Sequence, residues 1–134
     1  MKILVVDDDD SFLCVIQTIL EAEGHEVCTA SDGSYGYSRF LLNRPDLILT
    51  DIHMPGTDGI EMIQSIRNVD PAVRTIYMSA ELDRYHLRLE EERRKYDVVL
   101  LAKPFSKGEL VASVSTTSDR LENQNKEPSA KQLA

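Results

Sequence analysis

Five residues of this chain have the types that phosphoryl chemistry needs, and each stands at or just past the end of an apolar run. Asp7 and Asp8 follow Ile3-Leu4-Val5-Val6, and Asp51 follows Leu47-Ile48-Leu49-Thr50. Ser79, with Ala80, ends the run from Val73 to Met78, and Lys103, with Pro104, ends the run from Val98 to Ala102. Asp51 is the centre, because the turn formers Pro55, Gly56, Asp58 and Gly59 force a loop directly after it. A carboxylate at the C-terminal tip of a buried strand sits where open α/β sheets bind ligands. Three carboxylates crowded together repel and raise each other's proton affinity, and a divalent cation removes that conflict. Oxygen donors without a His/Cys cluster favour a hard ion, Mg²⁺ or else Mn²⁺, completed by waters. A lysine, a hydroxyl and exposed backbone N–H groups beside it would hold an anion. The chemistry this set suits is phosphoryl transfer through an aspartyl-phosphate.

The elements that must position these residues are legible from periodicity. Ile3 to Val6 reads as a short strand buried on both faces. Ser11 to Glu23 reads as a helix with Phe12, Ile16, Ile19 and Leu20 on its inner stripe, capped by Asp9 or Asp10 and ended by Gly24. Glu26 to Ala30 is a second strand, and about Asp32 to Asn43 a second helix with Tyr37, Phe40 and Leu41 inward. Gly33 and Gly36 weaken that helix locally. Pro45 breaks the chain before a third strand, Asp46 to Thr50. A third helix carries a narrow apolar face of Ile60, Ile63 and Ile66 or Arg67, and Asp70-Pro71 ends it before a fourth strand, Val73 to Met78. Leu82 to Lys95 reads as one charged helix with the stripe Leu82, Tyr85, Leu89 and with Glu90–Arg94 and Glu91–Lys95 pairs outside. Val98 to Ala102 is the fifth strand. Ser106-Lys107-Gly108-Glu109 has the form of a capping box, opening a helix through Leu110, Val114, Thr117 and Leu121. Residues 1–122 form the domain, and 123–134 a polar tail or the start of a linker.

Five apolar strands alternating with five helices make an α/β sandwich with a parallel sheet. In the order 2-1-3-4-5 the first, third, fourth and fifth strands are neighbours, and their tips ring one crevice.

Composition narrows the function. The 134 residues suit one domain, and a 42% hydrophobic share with no Trp implies an aliphatic core. The net charge of −8 argues against direct nucleic-acid binding by this segment, which needs clustered Lys and Arg. The N-terminal apolar run is too short for a signal peptide or a membrane span, which leads us to expect a cytoplasmic protein without a membrane partner. Cys14 and Cys28 lie in apolar-periodic segments and read as buried free thiols.

Four segments taken together, ILVVDDD, LILTDIHMPGTDG, IYMSA and LAKPF, resemble in order and register the response-regulator receiver domain of two-component, or phosphorelay, signalling. The resemblance covers about residues 2 to 122. It implies a flavodoxin-like, doubly wound five-stranded sheet and a phosphoprotein switch in signal transduction. Asp51 would accept a phosphoryl group from a phosphohistidine on a sensor histidine kinase or a histidine phosphotransfer protein. Asp8, Asp51 and the His53 backbone carbonyl would bind the metal directly, with Asp7 acting mainly through metal-bound water. Lys103 and Ser79 would contact the phosphoryl oxygens, as would the backbone at His53 and Ala80. A cis peptide before Pro104 would aim Lys103. Such a domain catalyses only its own phosphorylation and dephosphorylation. It passes the signal to a downstream effector that the sequence does not identify, and a phosphorylation-dependent dimer fits the family.

The sequence departs from the family at Leu100, at Lys95-Tyr96-Asp97 where Gly-Ala is usual before the fifth strand, in a slightly longer stretch from Ser79 to Lys103 and in a more charged fourth helix. Leu100 stands where an aromatic switch residue is usual, so the output signal must travel by backbone and packing changes. His53, two residues past Asp51, is placed to tune the phosphoaspartate lifetime. Each motif alone has a plainer explanation: an Asp run caps a helix, Lys-Pro makes a turn, and a serine caps a helix. Two other functions compete. A degenerate receiver would bind partners without phosphorylation, although all five key residues are present. An aspartate-nucleophile phosphatase of the haloacid dehalogenase type would need a second Asp where this chain has His53. A dinucleotide fold is disfavoured, because no G-x-G-x-x-G follows the first strand.

Overall fold

The computed structural model describes residues 1–117. The expected helix position Leu121, the boundary at 122 and the polar segment 123–134 lie outside the described residues.

The strands are β1 (Lys2–Val6), β2 (Glu26–Ala30), β3 (Leu47–Asp51), β4 (Arg74–Ser79) and β5 (Val98–Ala102), all parallel, in the order β2-β1-β3-β4-β5. The central strands are covered on both faces. Every residue of β3 and β4 is buried, whereas the edge strands β2 and β5 are largely half-buried. Alternate residues of a strand face opposite ways, so β1 divides its side chains between two cores. Ile3 and Val5 pack with Ile16, Leu20, Leu110 and Val114, on the side of helices α1 (Asp10–Ala22) and α5 (107–117). Leu4 and Val6 pack with Phe40, Ile63 and Leu89, on the side of α2 (Gly33–Asn43), α3 (Gly59–Arg67) and α4 (His86–Lys95). Each such side chain withdraws enough apolar surface to contribute about 1.5–3 kcal/mol.

Local signals set the element ends. The Asp9 carboxylate accepts from the Phe12 N–H at 3.2 Å to start α1, and Gly24 closes the turn after it at φ +91°. Ser106 and Glu109 form the expected reciprocal capping box. A second one, Asp58 with Glu61, starts α3 beside the site.

Several expectations need correction. In α2 the inward positions are Gly33, Gly36 and Phe40, with Tyr37 half-buried, and Leu41 is exposed. The glycines are there for contact: a Cβ on Gly36 would come within 2.6 Å of the Met62 sulfur. In α1 the inner stripe is Leu13, Ile16 and Leu20, with Phe12 and Ile19 at its margin, which turns Cys14 outward. Cys14 and Cys28 are free, but Cys14 is exposed and Cys28 half-buried. The α3 face is broad, burying Met62 and Arg67 as well as the three isoleucines. The charged segment is not one helix: Leu82–Tyr85 forms a 3₁₀ turn and α4 begins at His86. On its outside Glu91 pairs with Lys95, but Glu90 pairs with Arg93. No helix among the described residues is long and apolar enough to cross a membrane.

Candidate functional site

The C-terminal ends of β1, β3, β4 and β5 bring the five sequence-selected residues together. Asp51 is the last residue of β3, one later than periodicity placed it, and its carbonyl accepts from the Thr50 hydroxyl at 2.8 Å. The chain then folds tightly against itself. The Gly59 N–H donates to the Ile52 carbonyl at 2.8 Å, and a Cβ on Gly59 would lie 2.1 Å from the Asp51 carbonyl oxygen. Only glycine fits there, and it fixes the start of α3 on the backbone of Asp51.

Asp7 is just past β1 and almost wholly buried, and Asp8 is exposed. Their carboxylates and that of Asp51 each offer an oxygen, all within 4.8 Å of one another. Burial is the largest influence on Asp51 and pushes its pKa up to about 6, Lys103 opposing this while Asp7 and Asp8 add to it. A concentrated negative site with oxygen donors only fits a hard divalent cation.

Lys103 reaches the cluster from the end of β5. Its Nζ lies 2.7 Å from Asp7 Oδ2 and 3.6 Å from Asp51 Oδ2, so Asp7 is its nearer partner. The Phe12 ring, 4.4 Å from Nζ, adds a cation–π contact that periodicity did not suggest. The Lys103–Pro104 peptide is cis, as the resemblance implied. The backbone holds Lys103 to β4, its N–H donating to the Ser79 carbonyl at 2.9 Å. Ser79 is buried, and its Oγ accepts from the Glu81 N–H at 2.9 Å. Ala80 is exposed and lines an apolar cleft of about 300 Å³ with Phe12, Lys103, Pro104 and Phe105.

His53 is exposed, and its Nδ1 lies 3.4 Å from the Tyr85 hydroxyl. Leu100 is half-buried, and its partner across the sheet is Tyr77. Tyr77 is fully buried, and its hydroxyl lies 2.6 Å from Glu92 Oε1, which also pairs with Arg67. Burial first, then the adjacent Glu92, raises the Tyr77 pKa. Arg67 stacks on the Tyr96 ring at 3.7 Å. This polar group under α4 escaped the sequence reading. Its one signal was Glu92, which continues the inward spacing of Tyr85 and Leu89. Arg88 also went unnoticed; it grips Asp58, the α3 cap, with both guanidinium ends at 3.0 and 3.3 Å.

Comparison with known proteins agrees with this geometry. The family described as response regulator receiver domain matches residues 3–115. The chain is 35% identical over 121 residues to the alkaline phosphatase synthesis transcriptional regulatory protein PhoP of Bacillus subtilis, covering 90% of this chain and 50% of that protein. It is 38% identical over 115 residues to the transcriptional regulatory protein PrrA of Mycobacterium tuberculosis, covering 84% and 48%. The chain thus spans about half the length of these curated relatives. Among solved structures, a response regulator receiver domain protein from Clostridium thermocellum superposes with a TM-score of 0.79 at 30% identity, covering 90% of this chain and 96% of that one. A CheY-like receiver domain protein from Methanospirillum hungatei JF-1 superposes with a TM-score of 0.80 at 27% identity, covering 92% and 97%. With the matched family spanning nearly all the described residues and the sheet order in agreement, the chain belongs to the response regulator receiver domains of two-component signal transduction.

Proposed function

We propose that this receiver domain is a phosphoacceptor switch in which Asp51 takes a phosphoryl group from a phosphohistidine on a sensor histidine kinase or a phosphotransfer protein. The observation that carries this reading is the convergence of three carboxylates within 4.8 Å with Lys103 reaching two of them. In the transfer, an Asp51 carboxylate oxygen attacks phosphorus. The bond from phosphorus to the donor imidazole nitrogen breaks, and the imidazole takes up a proton as it leaves. Lys103, already between Asp7 and Asp51, is within reach of the incoming phosphoryl oxygens. The buried Ser79 hydroxyl would exchange its Glu81 contact for one of them, and the backbone N–H groups at His53 and Ala80 would hold others. Asp8, Asp51 and the His53 carbonyl would hold Mg²⁺ or Mn²⁺, with Asp7 acting mainly through water. That ion, when bound, neutralises charge accumulating on the transferring group.

The domain works in this reading as a cytoplasmic signalling component and not as an enzyme with an outside substrate. The two relatives described above are named as transcriptional regulators. For this segment we propose only the receiving role, with nucleic-acid contact left to an effector and a phosphorylation-dependent dimer as one form of output. The phosphatase alternative lacks its second acid, since the residue two past Asp51 is His53, whose ring faces Tyr85.

The test is incubation with Mg²⁺ and a small acyl phosphate, read by intact mass. Wild type should gain one acid-labile phosphoryl group and Asp51→Asn none; an unmodified wild type would instead support the phosphorylation-independent reading. The decay of that mass after donor removal tests His53. Its ring, tethered at the mouth of the site, should slow the approach of water, so His53→Ala should shorten the phosphoprotein lifetime. Equal lifetimes would remove that role.

A further inference from the structure

A lysine ammonium is a compact charge on a flexible four-carbon stem, so its place between two carboxylates must be imposed by its surroundings. Lys103 Nζ lies 2.7 Å from Asp7 Oδ2, 3.6 Å from Asp51 Oδ2 and 4.4 Å from the centroid of the Phe12 ring. An ammonium carries three N–H donors. Two carboxylates and one aromatic face are the partners Nζ finds among the described residues.

The core alone does not place that ring, because Phe12 is half-buried at the margin of the α1 stripe. The acidic run that carries the site also sets it. While Asp7 Oδ2 holds Lys103, Asp7 Oδ1 accepts the Asp9 N–H at 3.0 Å. The Asp9 carboxylate in turn accepts the Phe12 N–H at 3.2 Å. The contacts close on themselves, running from Lys103 through Asp7, Asp9 and Phe12 back to Lys103. Phe105, two residues past Lys103, packs its ring against that of Phe12 at 5.7 Å with a 55° tilt, a favourable aromatic arrangement. A side chain placed only to fill the core would not need this circuit.

We propose that Phe12 is a positioning residue for phosphoryl transfer, its ring face holding the Lys103 ammonium at the mouth of the site. This rests on phosphorylation at Asp51. The ring attracts the cation through its quadrupole and covers one side of it against water. A charge held in place and partly dry acts more strongly on arriving phosphoryl oxygens than one that must first be ordered. Lys103 then turns from the carboxylates to those oxygens while the ring keeps its far side covered. Phe12 touches no reacting atom, and its effect passes through Lys103 alone. A leucine there would keep the apolar bulk and lose the attraction.

The test is the rate at which phosphoramidate, a donor too small to dock on α1, phosphorylates the full chain with Mg²⁺, read by intact mass. Phe12→Leu should be slower than wild type by about two- to thirtyfold, the span of ordinary cation–π strengths. Phe12→Tyr, which keeps a ring face, should stay near the wild-type rate. Replacing Phe12 by mono-, di- and trifluorophenylalanine withdraws electron density from the face at nearly constant shape. Each added fluorine should slow transfer further, a graded loss that a packing role would not give. These chains keep the ring, so they decide the matter even where Phe12→Leu folds poorly by chemical denaturation. A folded Phe12→Leu that matches wild type, or a fluorinated series without a trend, overturns the proposal while the phosphorylated wild type leaves the phosphoacceptor reading standing. A wild type that takes up no phosphoryl group overturns that reading, and this one with it.

Discussion

Asp51 is held at a cost. Burial disfavours its charged form more than Lys103 favours it, so its pKa stands near 6 against an ordinary 3.8. Between those values the folded protein binds more protons than the unfolded chain, so stability falls as pH rises through that window and stays low above it. Asp51→Asn should therefore stabilise the metal-free domain above pH 6, by at most about 3 kcal/mol, and the gain should shrink as pH falls from about 6 to 3.8 and be gone below that. Urea denaturation at several pH values checks this, and a gain independent of pH would show that desolvation is not its source. At this scale the sequence was most informative. Asp7, Asp8, Asp51, Ser79 and Lys103 each end an apolar run, and strand ends are where a parallel sheet gathers its chemistry. The Lys103–Asp7 pair and the Phe12 ring over Lys103 were not legible, because they depend on how α1 and the end of β5 lean together.

Among the elements, α4 departs furthest from a simple amphipathic pattern. Period 3.6 marked Tyr85 and Leu89 as inward and stopped there, since a glutamate at the next inward position reads as solvent-facing until its partners are known. Those partners, Tyr77 and Arg67, come from β4 and α3, so no local window contains them. For the same reason Leu41 was misplaced: α2 is turned by the close approach that Gly33 and Gly36 permit, not by its largest apolar residues. Glu92→Ala would leave Arg67 buried and without its counter-charge, and such one-sided removals cost about 3–5 kcal/mol. Chemical denaturation of that variant should show a loss of this size, with Arg67→Met/Glu92→Leu recovering much of it. A loss below about 1 kcal/mol, as for an exposed pair, would contradict the buried role.

At the scale of the whole molecule, the sheet order explains why residues far apart in sequence act together. The crossovers set β1, β3, β4 and β5 side by side with their C-terminal ends aligned, and Asp7, Asp8, Asp51, Ser79 and Lys103 all lie at or beside those ends. Strand alternation and turn signals made this architecture readable from the sequence. What they did not show is how the 3₁₀ turn and α4 tie back to the β3–α3 loop, through Tyr85 and Arg88 respectively. The central claim is that this edge transfers a phosphoryl group from nitrogen to Asp51. Phosphoramidate, whose P–N bond stands in for phosphohistidine, tests it most directly with intact-mass detection and mapping of the modified residue. Wild type with Mg²⁺ should gain one phosphoryl group on Asp51, with the gain lost on chelation and in Asp51→Asn and strongly slowed in Lys103→Ala. Wild type that stays unmodified with Mg²⁺ present, or a phosphoryl group mapped to another residue, would contradict the account.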